Sequence, residues 1–212
     1  MTGTSAKQGY HIAVQVVAID RKDPATDFVK GRDLLARLLA QFGCTTRVPR
    51  LPDGAPDWPE GFTGSLSRGA DWAIGIVTRK DGERRVGIDT EPVRPLAEIA
   101  RYAGTFLSEK ERAVCQASAR VPENVGLSLG FSAKETAMKA FSSPQSPIVP
   151  FDAFTITGLR PSTAKVTIQS GRGASIEGTT VQVQWMLFRG HVLTYLLYPE
   201  PPPGFRILGE LL

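Results

Sequence analysis

The segment GIDTEP holds two carboxylates, Asp89 and Glu91, at the end of an apolar strand pattern. Because residues two apart on a strand project from the same face, these two side chains lie side by side. Two carboxylates about 4 Å apart repel each other by roughly 4 kcal/mol at an effective dielectric of 20, unless a cation or a proton sits between them. The pair is therefore a candidate cation site, although a solvated strand end has the same pattern.

The segment FSAKETAMKA, some forty residues later, places a polar stripe on a predicted helix. Ser132, Glu135 and Lys139 are spaced i, i+3, i+7 and share one face of that helix. Glu135 and Lys139 also have the favourable orientation of an i, i+4 ion pair, which stabilises a helix by only about 0.2–0.5 kcal/mol and is common on exposed helices. Taken alone, this stripe indicates an ordinary charged surface.

Considered together, the two segments supply three carboxylates, Asp89, Glu91 and Glu135, with no softer ligand nearby. Mg²⁺ suits such a set of hard oxygens, because it keeps several waters and takes its remaining ligands from a substrate phosphate. Lys134 and Lys139 would flank that phosphate. The sequence therefore predicts a magnesium site that handles a polyanion.

The same two segments resemble the paired signature of the 4′-phosphopantetheinyl transferases, of the large single-chain type that activates nonribosomal peptide and polyketide synthases. The family pattern is G-[IV]-D-x-E followed by [FW]-S-x-K-E-[AS]-x-x-K. This sequence meets the pattern at Gly87, Asp89, Glu91, Phe131, Ser132, Lys134, Glu135 and Lys139. Thr136 replaces the usual small residue, and Met138 stands where an aromatic residue is common.

A third segment, PDWPEGFTGSLSRG, resembles the family segment whose serine and histidine hold coenzyme A. The serine falls on Ser67, and Arg68 stands where the family has the histidine. Arginine is permanently charged and binds phosphate through two hydrogen bonds, so we expect Arg68 to replace a histidine that binds, though not one that exchanges a proton. A solvent-facing loop arginine is the alternative interpretation.

Two further segments are similar to the family in the expected order. The helix FVKGRDLLARLLAQFG resembles an early helix with phosphate contacts, which makes Arg32 and Arg37 candidate coenzyme A ligands, although arginines on an amphipathic helix also serve solubility. LSEKER resembles the segment whose glutamate is implicated as the base, and that glutamate falls on Glu111. A base is expected because a serine hydroxyl is a poor nucleophile near neutral pH.

The resemblance implies transfer of the 4′-phosphopantetheine arm of coenzyme A to a serine of an apo acyl or peptidyl carrier protein, with release of 3′,5′-ADP. Mg²⁺ on the three carboxylates would bridge the pyrophosphate, and Lys134 and Lys139 would balance its charge. Glu111, Glu135 and Lys139 are then the expected catalytic residues. Two alternatives stay open: Mg²⁺-dependent hydrolysis of a nucleotide pyrophosphate, and a degenerate relative that binds coenzyme A or carrier proteins without turnover.

Composition and charge narrow the class of protein. The chain has 212 residues, 42% hydrophobic and 22% charged, and shows neither a signal sequence nor an apolar run of about 18 residues, so we expect a globular cytoplasmic protein with no membrane partner. Two cysteines and two histidines support neither a disulfide framework nor a zinc site. A net charge of +4 suits an anionic ligand or an acidic protein partner, and without a basic and aromatic cluster it falls short of a nucleic-acid signature. An acidic carrier protein is the partner that the resemblance implies.

Local patterns predict helices and strands in both halves of the chain. The predicted strands are 10–19, 70–78 and 84–91, with the last two paired as a hairpin through KDGE, and an antiparallel set from 151 to 199. The predicted helices are 27–43, 96–103, 107–114 and 124–141. Residues 48–64, which are rich in proline and glycine, are predicted to be irregular.

The resemblance implies an α+β fold of two similar α/β lobes related by a pseudo-twofold axis, each a small antiparallel sheet packed on a long helix. The lobe boundaries are expected at 1–85 and 86–212, with coenzyme A bound between the lobes and lined by residues 48–69. A pseudodimer within one chain implies a monomer.

Overall fold

The computed structural model describes residues 11–18, 24–52, 54–69, 72–80, 82–117, 120–142, 150–169, 178–201 and 206–208. Parts of the predicted strand 10–19, of the turn KDGE and of the proline segment 142–150 lie outside these residues. The strands in chain order are β1 (His11–Ala18), β2 (Phe62–Arg68), β3 (Trp72–Arg79), β4 (Arg85–Pro92), β5 (Phe154–Leu159), β6 (Thr163–Ile168), β7 (Thr180–Phe188), β8 (His191–Tyr198) and β9 (Arg206–Leu208). The α-helices are α1 (Pro24–Ala40), α2 (Leu96–Tyr102), α3 (Glu109–Gln116) and α4 (Glu123–Phe141).

The first sheet has the strand order β2-β3-β1-β9 and packs one face on α1. The four leucines between residues 34 and 39 are fully buried and pack with Ala73 and Val77 of β3, as their helical spacing predicts. β1 pairs with β3 in the antiparallel sense and with β9 in the parallel sense. The expected purely antiparallel sheet is thus extended by one parallel strand from the far end of the chain.

The second sheet has the strand order β4-β8-β7-β6-β5, and every pair in it is antiparallel. This confirms the strand set predicted for the last third of the chain. Helix α4 covers one face and approaches β4 very closely, because a Cβ added at Gly87 would lie 2.0 Å from the carbonyl oxygen of Thr136. Only glycine permits this approach, which places the side chains of α4 directly over β4.

The two sheets contact each other through the faces that the long helices leave uncovered. Ile74 and Ile76 of β3 lie in one buried cluster with Val86 and Ile88 of β4 and with Leu193 of β8. Because side chains alternate along a strand, Asp89, which follows Ile88, faces the opposite way. The layers therefore run α1, first sheet, second sheet, α4.

The predicted hairpin of residues 70–78 with 84–91 is wrong. β3 is hydrogen-bonded to β1 and β2, whereas β4 is hydrogen-bonded to β8 in the other sheet. Both edges of β3 are already occupied, so the chain after Lys80 crosses to the next layer instead of turning back. The segment KDGE does contain a turn, at Gly82 and Glu83. Local sequence, however, does not determine which strand becomes the neighbour of β3.

Strand β2 lies largely beyond the segment predicted as irregular and was not predicted as a strand. Its sequence FTGSLSR is rich in glycine and serine, which give a weak strand signal. The serines have a specific use: Ser65 Oγ accepts a hydrogen bond from the backbone N–H of Ile88 at 3.1 Å, and Ser67 Oγ accepts one from Thr90 at 3.3 Å. The open edge of β4 is thus closed by side chains of β2 rather than by another strand.

The structure confirms the α+β class, with two small sheets and a long helix packed on each. The lobe boundaries 1–85 and 86–212 stay a prediction, and β9 departs from them because residues 206–208 join the first sheet. Among the described residues, no helix is both long enough and apolar enough to span a membrane.

Candidate active site

Asp89 lies where the two sheets and α4 meet, and its carboxylate is 2% exposed. Its Oδ1 accepts hydrogen bonds from Lys139 Nζ at 2.6 Å and from Ser67 Oγ at 2.7 Å, while Oδ2 accepts one from Ser132 Oγ at 2.7 Å. Ser67 comes from β2, and the other two donors come from α4. The structure therefore brings four of the predicted residues together around one buried charge.

Glu91 and Glu135 lie near this centre and share a single lysine with Asp89. Burial raises the pKa of Glu91 to about 7, repulsion from Asp89 and Glu135 adds to the rise, and Lys139 opposes it. Burial and repulsion from Asp89 also raise the pKa of Glu135, whose Oε2 lies 3.8 Å from Lys139 Nζ. Among the described residues, Lys139 lowers the pKa of both glutamates and Arg94 lowers that of Glu91, but burial and the repulsion between the carboxylates outweigh them.

The donor chemistry of this centre fits a hard divalent cation only in part. Within the described ranges, no group of three or more His, Cys, Asp or Glu residues forms a metal site on its own. Asp89, Glu91 and Glu135 stay the predicted magnesium ligands, with the remaining ligands expected from waters and a substrate phosphate. A partial carboxylate set nevertheless suits Mg²⁺, which retains waters and usually takes one or two protein carboxylates together with substrate phosphates.

Glu111 and Lys134 form a second ion pair, which is buried, on the α3 side of α4. Lys134 Nζ lies 3.1 Å from Glu111 Oε1, and their side chains are only 4% and 6% exposed. Lys134 also donates to the carbonyl oxygen of Phe106 at 2.9 Å and lies 4.7 Å from the ring centroid of Phe151. A lysine held in this way does not flank a phosphate, so the predicted role of Lys134 in binding coenzyme A is not supported.

The hydrogen bonds of Glu111 argue against its predicted role as the base. Its Oε1 accepts from Lys134 and from the backbone N–H of Ile156, and its Oε2 accepts from the backbone N–H and the hydroxyl of Ser108. Burial alone would raise the pKa of Glu111, but these hydrogen bonds outweigh it and lower the pKa. Glu111 instead ties α3 to α4 and β5, and the capping-box pattern S-x-x-E at 108–111 is the sequence signal for that role.

An arginine cluster lies on the opposite face of β2 from Asp89. Ser67 and Arg68 are adjacent on the strand and so point to opposite faces, and Arg68 packs beside Gly31 of α1. Burial, together with repulsion from Arg68 and from Arg50, lowers the pKa of Arg32. Arg32 also donates hydrogen bonds to the carbonyl oxygens of residues 48 and 49. Three mutually repelling guanidinium groups favour an anion, and Arg50 is the member that the sequence did not predict.

Arg37, the other predicted arginine of α1, does not share this position. It is exposed in the last turn of α1, five residues after Arg32. Five residues correspond to about 140° around a helix, so the two side chains leave α1 in different directions. The structure therefore groups Arg32 with Arg68 and leaves Arg37 apart.

A cavity of about 570 Å³ adjoins the carboxylate centre, because Glu91 is one of its lining residues. Its apolar wall comes from Ile99, Tyr102, Phe106 and Phe131. Ser128 of α4 also lines it, and the buried Oγ of Ser128 makes no hydrogen bond within the described part of the chain. The charged residues Arg94 and Glu98 complete the lining with Glu91. A cavity that combines an apolar wall with charged groups and one unpartnered hydroxyl suits an extended ligand with polar groups along it.

Comparisons with known proteins identify the family to which this sequence is similar. Residues 85–196 match the 4′-phosphopantetheinyl transferase superfamily, and residues 17–78 match the 4′-phosphopantetheinyl transferase N-terminal domain. Enterobactin synthase component D of Salmonella typhi is 30% identical over 169 residues, covering 79% of this chain and 69% of that protein. The 4′-phosphopantetheinyl transferase PptT of Mycobacterium tuberculosis is 30% identical over 191 residues, covering 81% of this chain and 78% of that protein. Svp, the 4′-phosphopantetheinyl transferase of Streptomyces mobaraensis, is 36% identical over 95 residues, covering 44% of this chain and 38% of that protein.

The ion pair of Glu111 with Lys134 predicts a large loss of stability when only one partner is removed. Glu111→Ala leaves a buried ammonium group without its counter-charge, which costs about 3–5 kcal/mol of unfolding free energy. Adding Lys134→Met removes the stranded charge and should recover much of that loss. Denaturant unfolding of the single and double variants measures both effects, and Glu109→Ala on the exposed face of α3 is the control.

The stabilisation that Glu111 contributes should depend on pH. Because the pKa of Glu111 is lowered in the folded protein, its stabilisation is fully present above the ordinary glutamate pKa of about 4.3 and disappears as the pH falls through the lower folded value. Glu111→Ala should therefore flatten the stability profile on the acidic side. A Glu111→Gln variant as stable as the unaltered protein but much slower in turnover would restore Glu111 as the base.

Proposed function

Because the chain belongs to the 4′-phosphopantetheinyl transferase superfamily and is therefore a transferase, we propose that it moves the 4′-phosphopantetheine group of coenzyme A to a serine of an apo carrier protein. The serine hydroxyl attacks the β-phosphorus of the pyrophosphate, and the bond from that phosphorus to the bridging oxygen breaks. The products are the holo carrier protein and 3′,5′-ADP. The observation that best supports this reaction is the shared centre of Asp89, Glu91, Glu135 and Lys139.

Phosphoryl transfer depends mostly on positioning and on neutralising charge, and Lys139 is placed to supply both. Its ammonium group is held by Asp89 at 2.6 Å, and its side chain is 26% exposed, so it can reach a substrate oxygen without leaving the centre. Lys134, which the family signature also contains, is buried against Glu111. We therefore assign the balancing of pyrophosphate charge to Lys139 alone.

Asp89 and Glu91 are the residues that would hold Mg²⁺. They share one face of β4, and the pKa of Glu91 is raised first by burial and then by repulsion from Asp89 and Glu135, which a bound cation would offset. When bound, the ion would supply a positive charge against the pyrophosphate oxygens. The substrate phosphates and waters would complete a ligand set that the protein alone leaves incomplete.

Glu135 is the group that we assign to accept the proton of the carrier serine. We do not assign this role to Glu111, because its carboxylate oxygens already accept four hydrogen bonds. The Glu135 side chain is 23% exposed, and its closest approach to Lys139, 3.8 Å, is longer than a hydrogen bond. Its oxygens therefore retain the capacity to accept a proton from an incoming hydroxyl.

The arginine cluster suits the 3′-phosphate of coenzyme A, and the cavity beside Glu91 suits its pantetheine arm. Arg32, Arg50 and Arg68 lie across β2 from the carboxylate centre, and we assign them to the 3′-phosphate, since the pyrophosphate occupies the other face. The pantetheine arm suits the cavity beside Glu91, where the unpartnered Ser128 hydroxyl can meet one of its amides. A net charge of +4 suits an acidic carrier domain.

Incubation of the protein with coenzyme A, Mg²⁺ and an apo carrier domain should add one phosphopantetheine arm to the carrier, as measured by mass spectrometry. Because one relative is an enterobactin synthase component, carrier domains of nonribosomal peptide synthesis are the first to test. A carrier with its serine replaced by alanine is the control. Release of 3′,5′-ADP without any carrier would instead show a pyrophosphohydrolase, and binding without product would show a protein that does not turn over.

Glu135→Gln should lower kcat by about 10²- to 10⁴-fold, because glutamine keeps the shape but cannot accept the serine proton. The Mg²⁺ concentration needed for half-maximal rate should stay unchanged. Steady-state kinetics at several Mg²⁺ concentrations measures both, with Glu83→Gln on an exposed turn as the control. Recovery of the rate at high Mg²⁺ would make Glu135 a metal ligand, as the sequence predicts, and not the base.

Arg68→Ala should weaken the binding of coenzyme A by about 10- to 100-fold, the cost of losing a hydrogen bond to a charged group. The affinity for dephospho-coenzyme A, which lacks the 3′-phosphate, should change little. Calorimetric titration with both ligands makes this comparison. Arg37→Ala is the matched control, and equal losses for the two ligands would remove Arg68 from the 3′-phosphate site.

A further inference from the structure

We propose that Thr194 is a positioning residue for Asp89 and acts through a chain of buried hydroxyl groups; the inference rests on the proposed function. Thr194 on β8 is the cross-strand partner of Asp89 on β4, so both side chains face α4. Ser132 of α4 lies between them. Its Oγ is 2.7 Å from Asp89 Oδ2 and 2.8 Å from Thr194 Oγ1.

The chemistry of the groups gives this chain a direction. The Asp89 carboxylate can only accept, so the single hydroxyl proton of Ser132 is donated to it. Thr194 must then be the donor between the two hydroxyls, and its proton is shared by Ser132 Oγ at 2.8 Å and the Ser132 carbonyl oxygen at 3.2 Å. Thr136 Oγ1 lies 2.6 Å from Thr194 Oγ1 and begins the chain. The order is Thr136 to Thr194 to Ser132 to Asp89.

Burial keeps this chain of hydroxyl groups in a fixed arrangement. Thr136, Thr194 and Ser132 are each 0% exposed, so no solvent competes for their hydrogen bonds. In such a low-dielectric environment successive hydrogen bonds strengthen one another. Thr194 donates to the Ser132 hydroxyl, and that hydroxyl donates to Asp89 Oδ2. The Asp89 carboxylate is thereby held in one orientation, with its other lone pairs directed toward Lys139 and a bound cation.

The placement of Thr194 separates this role from that of the signature residues. Thr194 is fully buried and does not line the cavity beside Glu91, and it lies more than fifty residues after the second signature segment. Its hydroxyl bonds instead to two residues of that segment, Ser132 and Thr136. The strand that pairs with β4 thereby fixes the orientation of the carboxylate that β4 carries.

Two substitutions at position 194 separate the hydroxyl from the packing. Thr194→Val keeps the shape and removes the hydroxyl, while Thr194→Ser keeps the hydroxyl and removes a methyl group. We expect Thr194→Val to lower kcat by about 10- to 100-fold, as for other residues that orient metal-binding groups. The KM for coenzyme A should stay within about twofold, and Thr194→Ser should restore most of the rate. Equal losses in the two variants, or no loss in Thr194→Val, would overturn the proposal.

A double-mutant cycle on unfolding tests the same link without activity or metal. Thr194→Val and Asp89→Asn should be non-additive by about threefold or more in the unfolding equilibrium constant, because the two groups belong to one network. Lys165→Ala, on the exposed face of β6, should be additive with Asp89→Asn. Additivity of Thr194→Val would overturn the proposal. If Thr194→Val does not fold, Thr194→Cys takes its place, since a thiol is a weak donor of similar size.

Failure of this proposal differs from failure of the proposed function. A protein that shows the coupling but transfers nothing to any carrier retains the positioning role and loses the transferase assignment. A protein that transfers the arm normally and shows neither the kinetic loss nor the coupling loses the positioning role alone.

Discussion

A single buried charge at the junction of the two sheets constrains the rest of the molecule. An unpaired ion removed from water costs several kcal/mol, so Asp89, at 2% exposure, must receive all its hydrogen bonds from the protein. Ser67 of the first sheet donates one of these hydrogen bonds, and Ser132 and Lys139 of α4 donate the others. Satisfying one carboxylate therefore fixes β2 and α4 against β4, and Gly87 is needed because a Cβ at that position would collide with the carbonyl oxygen of Thr136.

The two lysines of the second signature segment have different surroundings because of helical geometry. Lys134 and Lys139 are five residues apart, which turns them by about 140° around α4. Lys134 consequently enters the core and pairs with Glu111, while Lys139 reaches the carboxylates at the junction of the sheets. The first ion pair holds α3 and α4 together, and the second leaves part of its charge accessible. One short motif thus supplies both a buried structural ion pair and a partly exposed charge.

The sequence predicted those features that depend on local pattern. The apolar stripe of α1, the strands of the second sheet and the shared face of Asp89 and Glu91 follow from periodicity, which does not depend on the rest of the chain. The neighbour of β3 and the existence of β2 depend on contacts between distant segments, so neither was predicted. Glu111 shows a different limit: resemblance carried over a chemical role, whereas the capping box with Ser108 indicated a structural one, and only burial decides between them.

The arginine at position 68 becomes understandable once its face of β2 is known. A histidine that exchanged protons with the reacting groups would have to lie on the face that carries Ser67 and meets Asp89. Arg68 lies on the other face, beside α1 and within electrostatic range of Arg32. A residue there needs only a positive charge and hydrogen-bond donors, both of which arginine supplies permanently. Under the proposed function, the exchange of histidine for arginine would leave the groups around Asp89 as they are and would change only how an anion on the far side of β2 is held.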